Sequence, residues 1–427
     1  MEVRPGYQQT DIGAIPADWQ ALSIIEAAPK IIDYRGRTPR KLGMDWGGGD
    51  IPALSARNVK RGFIDFGEEC NLGSDSLYRK WMSNGDAARD DIVFTTEAPL
   101  GNVALIPDDE RYILSQRTIL LKADAARVHS PFLFQLMMSD GFQQLLAENA
   151  SGSTAQGIQR KKFETLQVAC PPLAEQRAIA EVLSDVDALL AGLERLIAKK
   201  RNLKQAAMQQ LLTGQTRLPG FQGEWEATTL FDVAERKKEL FDDGDWIESA
   251  HITADGIRLI QTGNIGIGRF VEKDAKKFIH EESFRSLRCK QLNIGDLLIC
   301  RLADPAGRAC VLPDIGEARV VTSVDVTIFR PSLEQVDRVF LANVFSTPEW
   351  FRAVSDRSGG TTHKRISRGA LGRMPLRLPP RPEQTAIAAV LSDMDAELTA
   401  LDARREKTRA LKQGMMQELL TGRTRLV

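Results

Sequence analysis

Apolar residues recur with two different periods along this chain, and the change of period marks its parts. Short β-rich runs at 92–95, 113–121, 297–300 and 320–329 are bounded by Gly, Pro and Asp turns, the pattern of strands. Apolar stretches with helical spacing follow them at 132–146 and 339–354. Two longer segments, 171–218 and 379–426, repeat instead every seven positions. In the first, Ile179, Val186 and Leu193 continue to Lys200 and Ala207, and the companion series is Val182, Leu189, Leu196, Leu203 and Gln210. The second is less regular, with Ile387, Met394, Leu401, Thr408 and Met415 assisted by Val390, Leu391, Leu398 and Leu411. Such spacing predicts a coiled-coil seam broken by a lysine. Pro171-Pro172 ends a strand and opens the helix, while Gly214 and Gly422 stop the two copies. A helix of about 38 residues would be about 57 Å long. Each seam needs a partner, and the other copy is the nearest.

The two long segments are one sequence written twice. PPLAEQRAIAEVLSDVDALLAGLERLIAKKRNLKQAAMQQLLTGQTRL, from Pro171 to Leu218, aligns without a gap on Pro379 to Leu426 at an offset of 208, with 29 identities in 48 positions. The repetition continues more weakly upstream. Trp19 matches Trp225, and both read as core residues. ARNVKRGFI lines up with TGNIGIGRF, so Asn58 falls on Asn264 and Gly62 on Gly268. SGST at Ser151 matches SGGT at Ser358. The chain therefore divides into a first variable domain (1–170), a central repeat helix (171–218), a second variable domain (219–378) and a C-terminal repeat helix (379–427). Its period is far too long for a solenoid, whose repeats are roughly 20–50 residues. The fold class this predicts is α+β: two mainly antiparallel-sheet globules separated by two long helices that pair as an antiparallel coiled coil.

Composition narrows the function by exclusion. With 43% hydrophobic and 27% charged residues in 427, the chain has the makeup of a folded globular protein. Its apolar runs are too short to span a bilayer and its start lacks a signal-peptide stretch, which predicts a cytoplasmic protein without membrane contact. Five cysteines without a CxxC pair predict reduced thiols rather than disulfides or structural zinc. The 57 basic and 57 acidic residues cancel, so any affinity for nucleic acid must come from local clusters.

No catalytic grouping emerges. There is no GxxxxGK[ST] loop, no HExxH, and no Asn/Asp-Pro-Pro-aromatic tetrapeptide. Pro107-Asp108 and Pro313-Asp314 lack the acidic-x-Lys that would complete a nuclease metal site. The expectation is a protein that is not an enzyme and holds no metal or cofactor. The positive signal is a set of basic loops. Arg35, Arg37, Arg40 and Lys41 lie in DYRGRTPRK, and Arg57, Asn58, Lys60 and Arg61 follow. Arg160, Lys161 and Lys162 precede the first long helix, and His363, Lys364, Arg365 and Arg368 stand at the matching place in the second half, with Asn264 and Arg269 ahead of them. Arg forks suit guanine edges and phosphates and Asn amides suit adenine edges, so these are the candidate DNA-binding residues. The candidate helix-pairing residues are Ile179, Val182, Val186, Leu189, Leu193, Leu196, Leu203, Ile387, Met394, Leu401, Leu411 and Met415.

PPLxEQxxIAxxLSxxD followed by LKQxxMQxLLTGxTRL resembles the repeat helices of type I restriction-modification specificity subunits. GYQQTDIGAIPADW and IIDYRGRTPRK are similar to that family's N-terminal blocks. The second copy departs at Arg381, Pro382 and Thr385, where the first has Leu173, Ala174 and Arg177. The resemblance implies two target-recognition domains that read a bipartite, asymmetric double-stranded DNA site. It also implies docking of modification (methyltransferase) and restriction (ATP-dependent nuclease) subunits, on which S-adenosylmethionine, ATP and magnesium would be bound. Two alternatives stand beside it: a reader for a related system whose partner fuses methylase and nuclease, and a coiled-coil adaptor without sequence-specific DNA binding.

Overall fold

The computed structural model describes residues 5–152, 156–302, 305–360 and 364–426. It separates into two compact units, one of residues 1–194 and 403–427 and the other of residues 195–402. The predicted α+β class and paired long helices are present, with helices spanning Leu173–Leu211 and Arg381–Leu419.

In the first unit, a four-stranded antiparallel sheet runs in the order Lys30–Asp33, Thr118–Lys122, Ile92–Thr95, Val103–Leu105. Side chains alternate across a strand, and here both faces are covered. Ile92, Phe94, Ile119 and Leu121 enter a core beneath the helices Ser130–Met138 and Asp140–Glu148, whereas Val93, Leu120 and Ile32 enter a second core around Trp81 and Leu54. Burial on both faces is why these strands read as unbroken apolar runs. The second core carries a small sheet in which Ile51–Leu54 pairs with Ile113–Leu114 in parallel, an exception to the antiparallel pattern.

The second unit repeats this plan. Its sheet runs Phe241–Asp243, Val326–Phe329, Leu297–Cys300, Ala309–Val311, all antiparallel. Leu297 and Ile299 face one core and Leu298 and Cys300 another. Ile257–Ile260 again pairs with Val320–Thr322 in parallel.

Each unit contains the start of one long helix packed antiparallel on the end of the other. In the first unit, Lys412 Nζ bonds Asp187 at 2.6 Å and Arg409 lies 3.5 Å from Glu194. In the second, Lys200 pairs with Glu397 at 2.7 Å and Lys204 with Asp395 at 2.5 Å. The seam differs from the expected one in phase. The Ile179 and Ile387 series holds, but its companion lies four residues on, not three. Leu183, Ile197 and Leu391 are buried, while Leu189, Leu196, Leu203 and Leu411 are 44%, 39%, 47% and 59% exposed. Val182 is half-buried. Apolar residues stand at both spacings (Val182 and Leu183, Leu196 and Ile197), so periodicity alone leaves the phase open. Packing decides it: Ile179 and Leu183 together reach the core of the first domain.

The repeated motif also closes each unit. In the first, the fully buried Glu175 carboxylate accepts from Arg425 Nε at 2.6 Å and Nη2 at 2.8 Å, and from Trp19 Nε1 at 3.1 Å. In the second, Arg217 grips the equally buried Glu383 with two bonds of 2.5 Å. The next residue pins the helix to its domain. Gln176 accepts from the His129 amide and donates to Arg127 and Pro171 carbonyls; Gln384 does the same with Asp337, Gln335 and Pro379. The E-Q and T-R-L segments thus meet between repeats, the start of one copy receiving the end of the other.

Candidate nucleic-acid interfaces

Sheet direction gathers the loops. In the first unit, Lys30–Asp33 and Ile92–Thr95 both run antiparallel to Thr118–Lys122, so they finish where that strand and Val103–Leu105 begin. Hydrogen bonds bring further loops to this end. Gly62 N donates to Val103 O at 2.8 Å and Asn102 Nδ2 to Val59 O at 2.8 Å, which seats the 55–66 loop beside the sheet. Gly62 turns there at φ +100°, a conformation that favours glycine. Ile158 N donates to Thr96 O at 3.0 Å, which brings in the segment ahead of the first long helix. Of the eleven first-half residues named from sequence, eight lie in the 34–42 and 55–66 segments, and Arg160, Lys161 and Lys162 open the short helix Arg160–Glu164.

They divide into residues that build the end and residues that face outward. Arg35 forks onto Asp33, with Nε to Oδ1 at 3.0 Å and Nη2 to Oδ2 at 2.6 Å, and its Nη1 reaches Thr96 Oγ1 at 2.9 Å. Arg160 approaches the same carboxylate at 3.9 Å. Burial works to raise the Asp33 carboxyl, but the bonds and charges of Arg35 and Arg160 prevail and hold it below its ordinary value. Arg37 lies over the Tyr34 ring at 4.7 Å and donates to Trp81 O. Lys41 Nζ closes its own loop onto Gly36 O at 2.7 Å. Arg57 and Lys60 share Glu68, and their bonds lower that carboxyl, Arg57 foremost. Arg61 bonds Met138 O at 2.8 Å and Asp140 at 3.3 Å. Arg40, Lys161 and Lys162 are exposed.

The second unit builds the same end with different cations. Gly268 N donates to Ala309 O at 2.9 Å, and Arg308 ties the 262–265 turn through Ile265 O at 2.6 Å and Thr262 O at 3.0 Å. Arg301 takes the place of Arg35, lying 3.0 Å from Asp243. Burial raises the Asp243 carboxyl, and the Arg301 charge only partly opposes it. Arg368 pairs with Asp242 and Arg365 with Asp325 at 2.8 Å. Lys364 reaches Ser355 Oγ at 2.8 Å, and Arg269 is exposed. His363 lies outside the described residues.

Two expectations need correction. Asn58 is 1% exposed and Asn264 5%. Asn58 Oδ1 accepts from Ser55 N and its Nδ2 donates to Glu68 O at 3.1 Å; Asn264 mirrors this with Gln261 N and Val271 O, both at 3.0 Å. Their amides close a turn in each domain and have no free edge for adenine. Sequence reasoning also missed Arg117, Arg301 and Arg308 at these ends. Arg117 stands opposite Glu97 at 3.5 Å with a left-handed φ of +65°. Nothing local distinguishes these arginines from ordinary strand-end residues; the sheet register does.

Each domain end therefore presents an arginine- and lysine-rich rim, partly neutralised from behind by carboxylates that fix the side chains. Two copies of one profile, described as "Type I restriction modification DNA specificity domain", match residues 16–202 and 223–409. The chain belongs to this type I restriction-modification DNA specificity family. It is 24% identical over 328 residues to the type I restriction enzyme MjaVIII specificity subunit of Methanocaldococcus jannaschii, covering 74% of this chain and 75% of that one. Identity to the putative MjaX specificity subunit of the same organism is 21% over 435 residues, 98% and 97% of the two chains. The fold is that of the type I restriction-modification S subunit from M. genitalium, with a TM-score of 0.58 at 14% identity over 98% of each chain. Among the described residues, no helix is long and apolar enough to cross a membrane.

Proposed function

We propose that each domain end reads one half of a bipartite double-stranded DNA target, and that the chain performs no catalysis. The observation that carries this reading is the repetition. Two domains of divergent sequence bring the same set of loops to the same end of the same sheet, and fill them with cations. Exposed Arg40, Lys161, Lys162, Arg269 and Lys364 meet phosphates and set the register, while the more tightly held arginines shape the rim. Two divergent readers on duplicated frames give an asymmetric site with an unread gap. Modification and restriction subunits assemble on the same chain. They supply S-adenosylmethionine, ATP and magnesium, so that this subunit contributes the address and they contribute the reaction.

The test is modified-base sequencing of the host genome with and without the gene. Loss of methylation from one gapped motif supports the reading. An unchanged methylome, together with salt-insensitive DNA association by the copurified complex, refutes it.

A further inference from the structure

The second domain end holds a groove that the cation inventory does not use. Trp246 stands at its rim, 66% exposed, with the indole N–H donating to Glu248 at 3.0 Å. The groove occupies about 820 Å³ and is open to solvent; Thr262, Lys273, Lys277 and Asp325 also line it. Its floor lies where two sheets meet this end: the 262–264 turn follows Ile257–Ile260 of the sheet that holds the parallel pair, and Asp325 precedes Val326–Phe329 of the antiparallel sheet. The groove is therefore part of the reading end.

Its charges are largely committed. Asp325 is held by Arg365 at 2.8 Å, Arg258 by Glu272 at 2.7 Å, and the Glu248 carboxylate accepts the indole N–H. Among the described residues, the ammonium groups of Lys273 and Lys277 have no acidic partner. The Lys273 side chain passes over Gly263, where an added Cβ would lie 3.2 Å from both Cε and Nζ, so the cation is carried above the 262–264 turn. The Thr262 carbonyl is tied to Arg308, which fixes the turn that presents the Thr262 side chain. An exposed indole, a hydroxyl on a fixed turn and two uncommitted lysines line one concave surface. Aromatic and hydroxyl groups contact base edges or sugars, and lysines contact phosphates. In the first domain, by contrast, Trp46 packs against Trp81 with ring centroids 5.3 Å apart, and Phe63 and Phe66 are the exposed rings. The two ends thus differ in the groups available for reading, as two different half-sites require.

We infer that Trp246 and Thr262 are specificity-determining residues of the second domain and that Lys273 positions the DNA beside them. The groove seats one DNA strand, with Trp246 and Thr262 against base edges and Lys273 on a phosphate. This rests on the DNA-reading role proposed above. The test uses the assembled complex carrying full-length Trp246→Ala, Thr262→Val or Lys273→Ala. Binding to a panel of duplexes with single-base changes is measured across a salt series. Trp246→Ala and Thr262→Val are expected to relax discrimination at positions in one half-site only, Trp246→Ala with a loss of about tenfold or more on the cognate site. Lys273→Ala should weaken all sequences equally and reduce the slope of log K against log salt by about one. Trp246 is largely exposed and Thr262→Val keeps the side-chain shape, so misfolding does not imitate this pattern. Wild-type discrimination retained in both half-sites, with an unchanged salt slope for Lys273→Ala, overturns the inference. If the wild-type complex itself shows no gapped preference, the DNA-reading role fails first and the inference falls with it.

Discussion

Replacing Arg425 by Met isolates the energetics of the closing lock in the first unit. Glu175 has no solvent exposure, and two of its three donors come from Arg425, leaving only the Trp19 indole. Removing one partner of a buried pair strands an uncompensated charge and costs about 3–5 kcal/mol. The outer arm from Arg425 to Asp18 is half-exposed and adds at most about 1 kcal/mol. Native-state hydrogen exchange reads this as faster opening of amides in 173–183 and 412–426, between about 100-fold and about ten-thousand-fold. Adding Glu175→Gln to Arg425→Met should restore most of that protection, because a neutral amide no longer leaves a charge buried. A loss below tenfold, or no recovery in the double variant, would refute the reasoning. The counterpart Arg217→Met should cost at least as much, since Trp225 Nε1 is buried without a partner and no indole bond supports Glu383.

Asn58→Ala and Asn264→Ala should each destabilise their unit by about 1–3 kcal/mol in urea unfolding and weaken DNA binding without changing the preferred bases, because each leaves buried backbone groups unpaired. A changed base preference would restore these amides as readers. Leu183→Ala should cost about 2–5 kcal/mol, whereas Leu189→Gln should stay within about 0.5 kcal/mol, which thermal unfolding of the two variants measures. Equal costs would mean that the seam has the other phase. Asp33 has a folded pKa below its unfolded value, so its contribution is fully present above the unfolded pKa of about 3.9 and is lost as pH falls through the folded value. Asp33→Asn should remove that part of the acid dependence of first-unit stability; an unchanged acid profile would contradict the assignment.

Much of this was legible in the chain because duplication exposes it. The 208-residue offset announced two domains and two helices, and Pro171-Pro172 and Gly214 bounded the first helix closely. The helix phase was not legible, since Val182 beside Leu183 and Leu196 beside Ile197 satisfy either spacing, and only the domain core chooses between them. The basic loops were found by composition, but composition weighs a buried amide and an exposed one alike. That is why Asn58 and Asn264 seemed to be readers when their spacing reflects a shared turn. Trp246 gave the opposite error of omission: a tryptophan in sequence suggests core, and only its exposure at the sheet end shows otherwise. Arg301 and Arg308 gained their places from strand register, which no local pattern records.

Independent reading by the two domain ends is tested most directly by exchanging the first variable domain, residues 1–170, for that of another family member and sequencing the modified bases. The predicted result is a gapped motif in which one half takes the donor's sequence and the other half is unchanged. A motif altered in both halves, or in neither with the complex still methylating DNA, would contradict it.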